Sequence, residues 1–227
     1  MVFNAEYNYG KRLEKKGHFC VKCKYRMLIN LANRGGYTRQ QVDKIGNSII
    51  YFASRLDGLT KTKILKLLYI LEEAAIRKYG YPFFGVDFQL WKHGPVLKDI
   101  FIDLSDEKPS ILESYVERNP HDYATFRAKG KFTDDEFSDN DIELLDKVVD
   151  YAKTKTAKKI VDFLHGSNSL WRKSAIKYGV LELLENETIN STEYDIDFNI
   201  LFENNPDMQD RYESAKENIE FMRSLKK

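Results

Sequence analysis

Apolar residues recur at helical spacing through most of the chain, and side chains able to cap a helix stand just ahead of them. Thr38-Arg39-Gln40-Gln41 has the form of a capping box, and Val42, Ile45, Ile49, Phe52, Ala53 and Leu56 follow along one face until Asp57-Gly58. A second helix is predicted after Thr60, with a stripe of Ile64, Leu67, Leu68, Leu71, Ala74 and Ala75. Leu65, Tyr69, Ile70 and Ile76 spread apolar character around most of its circumference, which is the pattern of a central, buried helix. Gly80 and Pro82 end it.

The next segment, "PFFGVDFQLWKHGP", is aromatic and irregular and predicts a short strand entering a tight turn. Pro95 suits the first position of a further helix carrying Val96, Ile100, Phe101 and Leu104. Between residues 106 and 138 the chain is polar, with "YATFRAKGKFT" as a single edge strand or hairpin arm. Ser138, with Asp141 three residues on, caps a helix bearing Ile142, Leu145, Val148, Val149 and Ala152. Thr156 opens another with Ile160, Val161, Phe163 and Leu164, stopped by Gly166, and a short helix from Ser169 holds Trp171 and Ile176. Residues 180–205 read as an acidic, Asn-rich loop with an extended piece at "YDIDFNI". The last helix runs 206–226, with Pro206 in its first turn and Met208, Tyr212, Ala215, Ile219 and Met222 as its stripe. The expected fold class is a predominantly α-helical α+β protein, with about seven helices and a small two- to three-stranded β element.

Composition supports a folded core, with 42% hydrophobic and 13% aromatic residues in 227. No apolar run approaches a membrane span, and "MVFNAEYNYGKRLEKKGHF" lacks a signal peptide's apolar centre, so a cytoplasmic protein without membrane contact is expected. The net charge of +1 conceals an asymmetry. Residues 1–44 hold ten Lys+Arg against three acids, giving +7, whereas the rest holds 26 against 32, giving −6. The division expected is therefore a basic arm at 1–37 and a domain at 38–227. Met27 leaves two readings of residues 1–26, an accessory arm or a stretch upstream of the biological start.

Candidate chemistry is sparse. Cys20 and Cys23, with His18 beside them, supply at most three ligands where a tetrahedral zinc site needs four, and no second CxxC exists. No metal and no cofactor is expected. His93, His121 and His165 are separated in sequence, and His93 and His165, the candidate bases, belong to no recognisable nucleophile motif. There is no GxxxxGK[ST] and no GxGxxG for phosphate. No catalytic residue is assigned, and the protein is expected not to be an enzyme.

Two stretches carry a family likeness. "LTKTKILKLLYILEEAAIRKYGYPFF" followed by "DFQLWKHGPVLKDIF" resembles the Panacea domain of SocA-like and phage-associated GepA-like antitoxins. The family's Lys-Leu-rich helix is met by Lys66, Leu67, Leu68 and Tyr69, its Gly-x-Pro link by Gly80 and Pro82, and its W-x-x-G-P-V turn by Trp91, Gly94, Pro95 and Val96. His93 stands where the family commonly shows Tyr or other residues. In the second half, His165 and Trp171 hold the places of the family's closing His and Trp. The likeness covers roughly 42–178. It implies a toxin–antitoxin component, with a role in phage defence, that neutralises its toxin by direct protein–protein binding. The motif residues are then mainly structural, with toxin contact as the alternative for the Trp91 corner. Two other functions stay open: a proteolytic adaptor handing the toxin to an ATP-dependent protease, and an autoregulator touching DNA or RNA weakly through residues 1–37.

Overall fold

The computed structural model describes residues 36–224. The basic arm, apart from Gly36 and Tyr37, and the Cys20–Cys23 pair lie outside the described residues. Among those described there are eight α-helices, one 3-10 helix and four short strands: α1 (Arg39–Ala53), α2 (Lys61–Tyr79), β1 (Gln89–Trp91), β2 (Gly94–Val96), α3 (Lys98–Asp103), β3 (Val116–Asn119), β4 (Asp122–Ala128), α4 (Asp139–Ala152), α5 (Ala157–Leu164), α6 (Leu170–Lys177), α7 (Leu181–Glu185), the 3-10 helix Phe198–Phe202, and α8 (Pro206–Ser224). The α+β class with helical predominance holds.

Local chemistry starts most of the helices where the sequence places them. Thr38 and Gln41 form the full capping box of α1, and Ser138 and Asp141 form that of α4. Thr60, Thr156 and Ser169 each accept the third backbone N–H of α2, α5 and α6 through their hydroxyls. Gly80, left-handed at φ 71°, closes α2.

Helix α2 is the axis of the core. It packs against α1, α3, α4, α5, β2, β4 and the 3-10 helix, and Ile64, Leu67, Leu68 and Leu71 are wholly buried. The strands pair as two separate antiparallel hairpins, β1–β2 and β3–β4. The second is irregular between Arg118 and Asn119, and it attaches to the start of α2 through the Phe126 N–H on the Leu59 carbonyl, 2.9 Å.

Three expectations are corrected. Pro95 does not start a helix: it sits in β2 opposite Leu90, and α3 begins at Lys98. Residues 180–205 are not simply a loop. They contain α7 and the 3-10 helix, and the extended piece is confined to the stretch at Tyr194–Ile196 that bonds the outer edge of β1. Phe163 and Ile176, placed with the apolar residues of their helices, are 61% and 60% exposed, and the core side of α5 is Ile160 and Leu164.

Candidate functional site: the corner between Lys66 and the β1–β2 hairpin

Lys66 lies in the middle of α2 with 1% of its surface exposed. A charge there is costly unless it is bonded. The Nζ donates to the Pro95 carbonyl at 2.7 Å, so the lysine ties α2 to the hairpin. Trp91 and Gly94 close that hairpin as a pair, with Lys92 and His93 at its tip. Among the described residues outside glycine, only Glu187 has positive φ, so the tip is not a primed turn; Gly94 absorbs the left-handed geometry at φ 91°. The missing side chain also makes room, because a Cβ on Gly94 would lie 3.3 Å from both Cε and Nζ of Lys66 and 3.7 Å from Nε2 of His165.

The far wall comes from α5 and α6. Trp171, 1% exposed, donates its indole N–H to the Trp91 carbonyl at 2.8 Å. His165, the C-cap of α5, stacks on Trp171 with ring centres 4.0 Å apart and planes within 15°. Its Nε2 is buried without a hydrogen-bond partner. The Trp91 indole points the other way, donating to Gln89 Oε1 at 3.1 Å and packing edge-on against Phe101 at 5.0 Å. Leu67, Leu68, Tyr69 and Val96 are buried in the core, Tyr69 against the rings of Phe88 and Phe198. Lys66, Trp91, Gly94, Pro95, His165 and Trp171, 105 positions apart at their extremes, thus meet in one place, while His93 is exposed at the hairpin tip and His121 lies on the turn before β4.

Burial sets the charge state. Desolvation pushes Lys66 down to about 7. Burial first, then the charges of Lys66 and His93, push His165 down to about 4. At neutral pH the corner therefore holds a neutral imidazole beside a lysine close to its titration point. No carboxylate bonds either group among the described residues.

Two buried acids were not singled out in the sequence. Glu72, 1% exposed, accepts the backbone N–H groups of Phe84 at 2.6 Å and Gly85 at 3.2 Å. Gln41 holds the same loop from α1 by donating to the carbonyls of Phe84 and Gly85. Burial pushes Glu72 up to about 7 against the pull of those donors. Asp103, 3% exposed, accepts from the backbone N–H groups of Ser110, Ile111 and Leu112 and orders the chain after α3. The available signal was acid inside an apolar run, the pair Glu72-Glu73 in "LLYILEEAAI" and the lone Asp103 in "IFIDLS".

No group of three or more His, Cys, Asp or Glu able to hold a metal exists among the described residues. A cavity of about 400 Å³ is lined by Arg77, Leu170, Lys173, Ile200 and Asn204, and none of the corner residues reaches it. The corner's contacts tie one hairpin to the central helix through Lys66 and to α6 through Trp171, on which His165 at the end of α5 stacks.

Residues 64–172 match the family model described as antitoxin SocA-like, Panacea domain. That span contains every residue of the corner from Lys66 to Trp171, and the match supports assigning it to the Panacea-domain antitoxin family. No curated protein and no solved structure matches the chain.

Proposed function

We propose that this protein is the antitoxin of a toxin–antitoxin pair and neutralises its toxin by binding it directly, without chemistry of its own. The observation that carries this reading is the family match over 64–172, which coincides with the corner. The corner's polar groups are turned inward, on Pro95 and on the Trp91 carbonyl, so the motif serves as framework and partner choice falls to the exposed faces.

The excess of acids after residue 44, −6 in all, suits a basic toxin of the kind that acts on RNA, through long-range steering and rim contacts. No helix among the described residues is long and apolar enough to cross a membrane, which fits a partner met in the cytoplasm. The test is co-expression with the product of the adjacent reading frame. A product that stops growth alone and not together with this chain, and that co-purifies with it, is the expected result. Growth arrest unrelieved by this chain would remove the reading.

A further inference from the structure

The outer side of the same corner carries an edge with a different character. Lys61, at the start of α2, holds its ammonium 4.0 Å from the centre of the Phe101 ring and donates to Ser105 Oγ at 2.8 Å. Phe101 in turn meets the half-buried Trp91. Arg118 of β3 sits beyond Ser105, donating to the Leu104 carbonyl at 2.9 Å and to the Tyr123 carbonyl at 3.0 Å. Its guanidinium lies 5.2 Å from the centre of the Tyr123 ring, and that ring is 60% exposed.

The two cations crowd one another. The Lys61 ammonium is pushed below its ordinary value by burial and then by Arg118. Neither has a carboxylate within ion-pair distance among the described residues, although Lys44, Lys78, Lys92, Lys98, Lys147 and Lys177 all have one. In a body with excess acid, two adjacent unpaired cations framed by Phe, Trp and an exposed Tyr are a local reversal of sign. Arg, Tyr and Trp are also the residues that dominate interface hot spots.

We infer that the Lys61–Arg118–Tyr123 edge is an anchor for the toxin, gripping an Asp or Glu side chain that the toxin presents beside an apolar residue. This rests on the reading of the chain as a toxin binder. Charge complementarity selects the occupant: a carboxylate relieves the repulsion between Lys61 and Arg118, and its apolar neighbour covers Tyr123 and Phe101. A nucleic-acid strand fits less well, since its phosphates need a track of cations and the surrounding body carries −6 after residue 44. A basic toxin and an acidic anchor point are compatible, because net charge governs encounter whereas close pairs govern grip.

The experiment uses the full chain and the adjacent-frame product that wild type neutralises; wild-type binding secures the functional reading, and the variants then test the edge. Affinity is measured for wild type, Lys61→Glu, Tyr123→Ala and Lys158→Glu. Lys158 is exposed on α5, away from the edge, and its reversal changes net charge by the same amount. At least a tenfold loss is expected for Lys61→Glu and Tyr123→Ala, with unchanged melting temperatures and less than a threefold change for Lys158→Glu. Unchanged affinity in the first two, or equal losses in Lys61→Glu and Lys158→Glu, would overturn the proposal. So would competition between the toxin and a twelve-nucleotide oligothymidylate that binds wild type and not Lys61→Glu.

Discussion

The ammonium of Lys66 and the carbonyl of Pro95, 29 positions apart, are joined by a 2.7 Å hydrogen bond that crosses from the central helix to the hairpin. Among the described residues no carboxylate pairs with this ammonium, so the bond works against the full desolvation of a charge. The native state releases the proton near pH 7 and the unfolded chain holds it to about 10.5. Between those values unfolding takes up a proton, so raising the pH favours the folded wild type. Below pH 7 both states are charged and the burial cost is fully felt. Lys66→Met removes the titration. Its stability relative to wild type should therefore be highest at pH 6–7 and decline toward pH 10, by on the order of 4 kcal/mol. Urea unfolding across that range measures it; a pH-independent difference would contradict the buried charge.

Trp171→Phe keeps most of the ring and deletes the donor to the Trp91 carbonyl. The lost hydrogen bond and the void beside His165 together should cost about 2–4 kcal/mol. Amide exchange should accelerate in residues 89–96 more than in α1, because the indole N–H holds the hairpin and does not touch α1.

His165 and Glu72 titrate in opposite senses. The histidine falls from 6.5 in the unfolded chain to about 4 in the fold, so it contributes stability above pH 6.5 that is lost as pH falls toward 4. The glutamate rises from 4.5 to about 7, so its contribution is present below pH 4.5 and lost as pH rises to 7. Wild type should show a shallow profile between pH 4.5 and 6.5. Glu72→Gln should unmask a rise in stability with pH over that window, and His165→Phe a fall. Thermal melts at half-unit steps of pH read both.

The boundaries of the helices were legible because a cap is local: Thr38, Thr60, Ser138, Thr156 and Ser169 each bond a backbone N–H three residues ahead. The hairpin was not, because Pro95 reads as a helix start. Leu90 faces it across the hairpin but donates its N–H outward to Tyr194, so the missing proline N–H breaks no ladder bond. Residues 198–202 fold through distant rings, Phe198 on Tyr69 and Phe202 on Tyr212, and no periodicity within so short a run could reveal them. The corner was half legible. Its members were recognisable by resemblance, but the Lys66–Pro95 bond and the buried Glu72 depend on geometry that spacing alone does not carry.

Helix α8 lies outside the family-matched span and is held by a thin stripe in which only Tyr212 is buried. Arg223 donates to the Gly85 carbonyl at 2.7 Å, and Gly85, at φ 64°, admits Ile219 so closely that a Cβ would stand 2.6 Å from its Cδ1. Gly85→Ala should cost about 1–2 kcal/mol, from the left-handed backbone and the displaced Ile219. The loss should concentrate in α8, seen as faster amide exchange at residues 206–224 with α2 still protected.

The central claim is neutralisation by occupancy, and a titration of toxin activity with purified protein tests it most directly. A binder acts in proportion to its amount, so inhibition should rise linearly and end at a fixed molar ratio of the two chains, with both recovered intact in one complex. Full neutralisation at a small fraction of that ratio, growing with time, would mean turnover of the toxin or its target and would contradict the account.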